Sequence, residues 1–268
     1  MSRASANLLA GSHAPDGGPA TTRSPRCYNG VVITEPPGLS GPSGPSGPSD
    51  PTFPAAAGLA DLRRGYADRG LSESELAPDP FTQFGNWLAD AVAAGLTEPN
   101  AMVLATADPG GQPSARTVLL KGLDEHGFVF FTNRGSRKGR EVAANPLASL
   151  VFPWYDLERQ VVVVGDVEPV DPPVTQAYFA TRPRGSQLGA WASEQSTVIS
   201  GRPELQRRLA AVQDRFGTDQ PIPPPPRWAG FRVRPQTVEF WQGRPSRLHD
   251  RLRYRRHEER WLVERLAP

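Results

Sequence analysis

Cysteine is almost absent from this 268-residue chain: Cys27 stands alone, which excludes an intrachain disulfide and a cysteine-based metal cluster. Lysine is nearly as scarce. Of 30 basic residues, only Lys121 and Lys138 are lysines, a mild hint of purpose that chance placement matches about evenly. No apolar run approaches the roughly 20 residues that span a bilayer. The apolar patch at 7–10 is too short for a secretory signal, so a cytoplasmic protein is expected. His13, His126 and His257 are scattered, and no His-x-x-His or carboxylate-rich spacing supports a metal. Absent too are a Gly-x-Gly-x-x-Gly turn after a strand and a Walker-type loop. No serine sits in a Gly-x-Ser-x-Gly setting, and no paired carboxylates mark a cleft. A nicotinamide-type Rossmann enzyme and a self-sufficient hydrolase are therefore both disfavoured.

What is abundant is proline and glycine, and the first 58 residues hold ten and nine of them, including a Gly-Pro-Ser repeat over 41–49. Such a segment buries too little apolar surface to offset chain entropy, so 1–58 is expected to be a disordered extension, with local docking at most through Val31, Val32 and Ile33. A folded body is expected over 59–268. Hydrophobic residues at 38% and charged residues at 22% fit a soluble globular class. The net charge of +2 hides an asymmetry. Residues 1–120 carry 7 Arg against 11 acidic groups, a balance of −4, while 121–268 carry 23 basic against 17 acidic groups, a balance of +6. The basic half suits an anionic ligand such as a phosphate, or nucleic acid.

Asp79-Pro80 opens a helical pattern with Phe81, Phe84, Trp87, Leu88, Ala91 and Val92 on one face, and Gly95 is its natural stop. Short strand-like runs follow at 101–107, 116–121, 128–132, 148–154 and 160–167, then a second helix over 203–216 and a proline-rich loop at 221–226. Late strands are expected at 230–233, 237–242, 251–256 and 260–266. Consecutive short strands with few helices between them predict an antiparallel barrel, mainly β with flanking helices.

Four clusters could carry chemistry. In Arg116–Lys121 the two cations fall on opposite faces of an ideal strand, so a strand flanked by solvated charges competes with a ligand site. In Thr132-Asn133-Arg134-Gly135-Ser136-Arg137-Lys138, Ser136 can cap a short helix running to Ala144. Cations in its first turn oppose the helix dipole unless an anion lies nearby. Tyr178, Arg182 and Ser186, at spacings of four, suit one helical face leading into a loop, where a guanidinium and two hydroxyls would grip a phosphate. An ordinary amphipathic helix end fits that spacing equally well. After the aromatic run at 238–243, alternation places Arg247, His249 and Arg251 on one face of an extended segment. Several phosphate-directed clusters without a nucleophile suit a cofactor enzyme.

These motifs resemble one family, the pyridoxine/pyridoxamine 5′-phosphate oxidases, over about 61–268. The most specific is V-E-F-W-Q-G-R-P-S-R-L-H-D-R (238–251), supported by E-P-N-A-M-V-L-A-T, R-T-V-L-L-K, F-F-T-N-R-G-S-R-K, L-E-R-Q-V, Y-F-A-T-R-P-R-G-S-Q and A-S-E-Q-S. The resemblance implies an FMN-binding split barrel, a Greek-key-like antiparallel barrel, working as a homodimer with FMN at the interface. It implies that FMN is held by Arg116, Thr117, Val118, Leu119, Leu120, Lys121, Phe131, Thr132, Arg137, Lys138, Gln160, Gln195, Ser196, Trp241 and Arg251. It assigns the substrate phosphate to Lys121, Tyr178, Arg182 and Ser186, and the substrate ring to Arg247, Leu248 and His249, with Arg247 and His249 catalytic. Arg63 and Tyr66 would belong to a mobile cover. The implied reaction oxidises pyridoxamine or pyridoxine 5′-phosphate to pyridoxal 5′-phosphate, with hydride passing to FMN and dioxygen returning as hydrogen peroxide. Phe131 stands where an aromatic with a hydroxyl is common, and residues 1–58 match nothing in the family.

Three other readings compete. A flavin oxidase of the same fold acting on a phenazine-type substrate would not need the four phosphate groups. A non-catalytic flavin-binding module would not need Arg247 and His249. Nucleic-acid binding through the arginine-rich end is disfavoured by the interleaved Asp250, Glu258 and Glu259 and by the lack of stacking platforms.

Overall fold

The computed structural model describes residues 65–67 and 69–268, all within the unit Leu62–Pro268. The extension expected over 1–58, its Val31–Ile33 run and Arg63 lie outside the described residues. In chain order the elements are α1 (Pro80–Ala93), β1 (Ala101–Ala107), β2 (Pro113–Leu119), β3 (Gly122–Asp124), β4 (Gly127–Asn133), α2 (Arg137–Ala144), β5 (Leu147–Trp154) and β6 (Arg159–Pro169). Then come α3 (Pro172–Ala180), α4 (Arg184–Ala192), α5 (Arg202–Phe216), β7 (Trp228–Gln242), β8 (Asp250–His257) and β9 (Arg260–Arg265). No helix among the described residues is long and apolar enough to cross a membrane.

The strands pair throughout as antiparallel neighbours in the order β2-β1-β5-β6-β7-β4-β3, with β8 on β7 and β9 on β8. β7 is the hub. Its first part, Trp228–Val233, pairs with β4, its last part, Thr237–Gln242, pairs with β8, and β6 runs along both. A strand that changes partner halfway turns the sheet, and the turn falls at a register shift in β6 between Val164 and Gly165, where Gly165 faces Pro235. Pro235 has no N–H to offer, and Gly165 lies so close to the Arg234 carbonyl that any side chain there would collide. This bulge corrects one expectation: the two late strands at 230–233 and 237–242 are a single 15-residue strand. At the other end of the order the chain leaves β2 and closes the curl. Leu120 N–H donates to the Asn100 carbonyl at 2.9 Å, and Lys121 N–H donates to the Val129 carbonyl at 2.8 Å. The result is an antiparallel sheet curled into a split barrel.

Period-2 burial shows why these runs are strands. β1 buries Met102, Leu104 and Thr106, and β5 buries Ala148, Leu150, Phe152 and Trp154. α1 adds the third side of the same core. Asp79 caps it by accepting from the Phe81 and Thr82 N–H groups, each at 2.9 Å. Its Phe84 meets Phe128 and Phe152 edge-on, and its Trp87 meets Phe240 edge-on. α3, α4 and α5 gather round a second, smaller core of Phe179, Leu188, Phe216 and Ile222.

Candidate functional site

Three groups of the singled-out side chains form, each built by a different part of the barrel. The first lies where β1, β2 and α2 meet. The β1–β2 register sets Leu104 opposite Arg116 and Thr106 opposite Ser114. Ser136 caps α2, accepting from the Gly139 N–H at 3.2 Å. Gly139 presses against the Asn133 and Arg134 carbonyls, where an added Cβ would come within 2.6 Å and 2.5 Å. This fixes the first turn of α2 on the strand end. The turn brings Glu141 into the barrel wall, where it is 5% exposed. Its Oε2 accepts from Thr106 Oγ1 at 2.5 Å and Ser114 Oγ at 2.6 Å and lies 3.3 Å from Arg116 Nη2, while Oε1 takes Arg137 Nε at 2.8 Å. Burial alone would raise this carboxyl, but the hydrogen bonds from Ser114, Thr106 and Arg137 and the Arg116 charge outweigh it and hold Glu141 at about 2. Arg116 is in turn fixed by the Leu104 carbonyl, Thr106 and Ser114.

Lys138 completes the group. Its side chain is buried, and its amine donates to two neutral acceptors, Thr132 Oγ1 and Gln195 Oε1, both at 3.3 Å. Burial and the neighbouring Arg116 charge push the ammonium down, with Glu141 opposing them. Arg116, Arg137 and Lys138 set against Glu141 leave two positive charges, which matches a phosphate monoester of about −2 near neutral pH. This chemistry answers the dipole objection raised by cations in the first turn of α2. The donor set fits a phosphate-bearing cofactor.

The second group centres on Arg182. Tyr178, Arg182 and Ser186 do not share one helical face as expected. Tyr178 lies in the last turn of α3, Arg182 lies in the break before Pro183, and Ser186 belongs to α4. Proline cannot continue α3, so the chain restarts in a new direction. Arg182 and Ser186 nevertheless line one cavity of about 310 Å³, together with Asn133, Gln195 and Trp228. The Arg182 guanidinium lies 4.3 Å from the Trp228 ring centroid, and its buried Nη1 has no hydrogen-bond partner among the described residues. Burial lowers its pKa against the pull of Tyr178, and burial raises Tyr178 against the pull of Arg182. Tyr178 stacks on Phe131 with centroids 4.0 Å apart. On this half-buried guanidinium a buried donor left idle is costly unless an acceptor such as an anion meets it. Gln195, which lines this cavity and also contacts Lys138, joins the first two groups.

The third group forms on β7 and the loop after it. Trp241 and His249 have ring centroids 4.6 Å apart, and Tyr66 meets both edge-on at 5.9 Å and 5.3 Å. Gln160, Trp241 and Tyr66 line a cavity of about 270 Å³ with Tyr155 and Arg159. His249 Nδ1 accepts from the Arg244 N–H at 3.1 Å, so in the neutral ring the proton sits on Nε2. The expected extended face of Arg247, His249 and Arg251 is not observed. Residues 245–247 form a 3-10 turn, and Ser246 and Arg247 have φ of 59° and 62°. This left-handed backbone is costly for non-glycine residues and recurs at functional sites. It presents Arg247 and Leu248 to solvent. Arg251 instead turns onto Glu239, at 2.7 Å and 3.0 Å, and reaches the Ala267 carbonyl.

Of the remaining positions, Thr117 is exposed on the outer face of β2, whereas Val118 and Leu119 are half-covered and Leu120 is buried. Lys121 is exposed past the partner change, so the alternation that set it opposite Arg116 ends at Leu119. Ser196 lies in an exposed turn with φ of 70°. Sequence reasoning missed Glu141, Ser114, Thr106 and Trp228. A carboxylate four residues after Arg137 was a readable signal. The others depend on strand register.

An antiparallel split barrel with a doubly positive cradle beside a separate arginine pocket has the charge and donors that suit phosphate-bearing small molecules. The sequence matches the family model "Pyridoxamine 5'-phosphate oxidase" over residues 88–216 and "Pyridoxine 5'-phosphate oxidase C-terminal dimerisation region" over 228–268. A pyridoxine/pyridoxamine 5′-phosphate oxidase of Salinispora arenicola is 63% identical over 211 residues, covering 78% of this chain and 96% of that one. Its counterpart from Rubrobacter xylanophilus is 59% identical over 210 residues, again covering 78% and 96%. The chain belongs to the pyridoxine/pyridoxamine 5′-phosphate oxidase family. Among solved structures, PhzG from Burkholderia lata 383, in complex with tetrahydrophenazine-1-carboxylic acid, superposes with a TM-score of 0.70 at 32% identity, covering 75% of this chain and 99% of that one.

Proposed function

We propose that the protein oxidises pyridoxamine 5′-phosphate and pyridoxine 5′-phosphate to pyridoxal 5′-phosphate. Bound FMN would accept the hydride from the substrate 4′ carbon and be reoxidised by dioxygen to give hydrogen peroxide. The alcohol loses its hydroxyl proton, and the amine becomes an imine that water hydrolyses with release of ammonia. The observation that carries this reading is the buried Arg182 Nη1, without a hydrogen-bond partner among the described residues, close to the Lys138 cradle through Gln195: two adjacent anion sites, one for each phosphate. Relatives up to 63% identical bear the name of this activity. The phenazine-type reading draws support from PhzG, at 32% identity, but a non-phosphorylated substrate would not need the four groups Lys121, Tyr178, Arg182 and Ser186.

In this reading Arg116, Arg137, Lys138 and Thr132 hold the FMN phosphate, with Glu141 fixing both guanidinium groups. The segment Thr117–Lys121, Phe131, Gln160, Gln195, Ser196, Trp241 and Arg251 complete the cofactor site. Arg182, Tyr178, Ser186 and Lys121 grip the substrate phosphate. Trp241, Arg247, Leu248 and His249 all fall in the segment that matches the dimerisation model, and His249 is held by the Arg244 N–H, which belongs to neither of the first two groups. A homodimer would bring this group from one copy to the phosphate sites of the other. There Arg247 and the His249 Nε2–H orient the pyridine ring and stabilise charge as hydride departs, a role of positioning and electrostatics more than of strong base. Tyr66, with Arg63, covers the ring.

The test is anaerobic mixing of the FMN-loaded protein with pyridoxamine 5′-phosphate while flavin absorbance is followed. Bleaching that reverses in air, with pyridoxal 5′-phosphate formed, is expected. Bound flavin that never bleaches would shift the assignment to a phenazine-type substrate, and failure to bind flavin would remove the cofactor assignment altogether.

A further inference from the structure

The segment that carries Tyr66 is fastened at a point well removed in sequence. Among the described residues before α1 it holds the 3-10 turn Glu73–Glu75, and the fastening comes from Arg265 at the end of β9, 192 residues away. Arg265 Nε donates to Glu73 Oε1 at 2.8 Å, and Nη2 donates to Glu73 Oε2 at 2.9 Å and to the Leu71 carbonyl at 3.2 Å. Nη1 donates to Asp250 Oδ1 at 2.6 Å. The other Asp250 oxygen accepts from the Leu71 N–H at 3.1 Å and lies 3.5 Å from Arg244 Nε. Arg244 is the residue whose backbone N–H meets His249 Nδ1. One carboxylate therefore ties together the segment, β9 and the His249 loop.

At the Tyr66 end the fit is close. The Ala67 N–H donates to Glu158 Oε2 at 2.8 Å. A Cβ on Gly243 would come within 2.5 Å of Tyr66 Cδ1 and 3.1 Å of Glu158 Cβ. A Cβ on Gly70 would meet Arg244 Nη1 at 3.2 Å. The segment is thus held at both ends, by Glu158 near Tyr66 and by Arg265 and Asp250 near Leu71. Glu73 is half exposed and touches no part of the candidate site, so its bidentate pairing has no direct chemical use there.

We infer that Glu73, Arg265 and Asp250 form a latch that positions Tyr66 over Trp241 and His249 and thereby sets affinity for the phosphorylated pyridine substrate. The inference rests on the reading of His249 as part of the substrate site, with Trp241 of the cofactor site beside it. Glu73 and Arg265 are positioning residues. They restrict where the Tyr66 ring can go, so their effect falls on binding and not on the hydride step.

The experiment compares FMN-loaded wild type with Glu73→Ala, Glu73→Gln, Tyr66→Ala and the Glu73→Ala/Tyr66→Ala double variant. Backbone hydrogen exchange over 65–76 and steady-state kinetics with pyridoxamine 5′-phosphate are the two readouts. Glu73→Ala is expected to speed exchange at Ala67 and Leu71 and to raise KM by up to about fivefold, the upper range of an exposed ion pair, with kcat unchanged. Glu73→Gln, which keeps an acceptor, should fall between. In the Tyr66→Ala background Glu73→Ala should add nothing to KM, because the latch acts through that ring. Unchanged exchange would overturn the latch. Faster exchange with unchanged KM, or an equal KM rise with Tyr66 already removed, would overturn its link to Tyr66. A wild type without turnover would count against the oxidase reading, while the exchange comparison would still decide whether the latch holds.

Discussion

Replacing Glu141 with Gln removes one charge from the centre of the cradle and little volume. Four donors converge on this carboxylate, but they do not contribute equally. The Arg137 side chain is 54% exposed, so its i,i+4 pair contributes only about 0.3–0.5 kcal/mol. Arg116 is 20% exposed and the Glu141 side chain 6%, so loss of that charged contact costs roughly 1.5–3 kcal/mol. Gln keeps an acceptor for one hydroxyl, which places the net loss near 2 kcal/mol. For a folded unit of this size that is a melting decrease of about 4–8 °C. The pH dependence has a definite sign. Glu141 is held at about 2 against an ordinary 4.5, so its stabilisation is fully present above pH 4.5 and is lost as pH falls through about 2. The gap between wild type and variant should therefore be widest near neutrality and narrow over that acidic window. Urea unfolding of the flavin-free protein, followed by tryptophan fluorescence at fixed protein concentration, measures it. Added FMN should recover part of the loss, since a phosphate takes over the pairing of Arg116 and Arg137. A variant within about 0.5 kcal/mol of wild type at pH 7, or a gap unchanged down to pH 2, would refute the placing of Glu141 as the keystone.

Lys138→Met should weaken FMN binding by about 10- to 100-fold, the loss of one charge-assisted contact, read from quenching of flavin fluorescence; unchanged affinity would remove Lys138 from the cofactor site. Arg182→Lys keeps the charge but loses the planar fork and the stack on Trp228. It should raise KM for pyridoxamine 5′-phosphate about tenfold or more while flavin affinity stays put, and parallel loss of both would mean a general disturbance. Arg247→Ala should slow single-turnover flavin reduction at saturating substrate by at least about tenfold, and reduction at the wild-type rate would show that Arg247 does not act in the hydride step.

Much of the barrel was legible because its signals are local. Alternation over 101–107 and 148–154 marks half-buried strands wherever they pair, and the Asp79 and Ser136 caps act within four residues of themselves. The late strand was misread as two because Pro235 normally ends a strand. Only the opposing bulge at Gly165, 70 residues earlier, makes room for it. The helical face drawn through Tyr178, Arg182 and Ser186 failed for the reverse reason: Pro183 did break the helix, yet the second helix folds back so that Arg182 and Ser186 still share a cavity.

The sequence by itself determined most of the strands, the helices at 80–93 and 202–216, the basic C-terminal half and, through its ordered motifs, the family; β3, α4 and the single strand β7 it did not show. Tertiary structure alone decided which of these meet. Glu141 became the hub because β1 and β2 pair Thr106 with Ser114 while α2 packs behind them. Arg251 was drawn to Glu239 by the β7–β8 register, and Arg265 to Glu73 by contact between distant parts of the folded chain. Periodicity and capping are interactions among neighbours in the chain, and a sequence states them directly. Charge pairing across strands depends on register and closure, which the whole core sets at once.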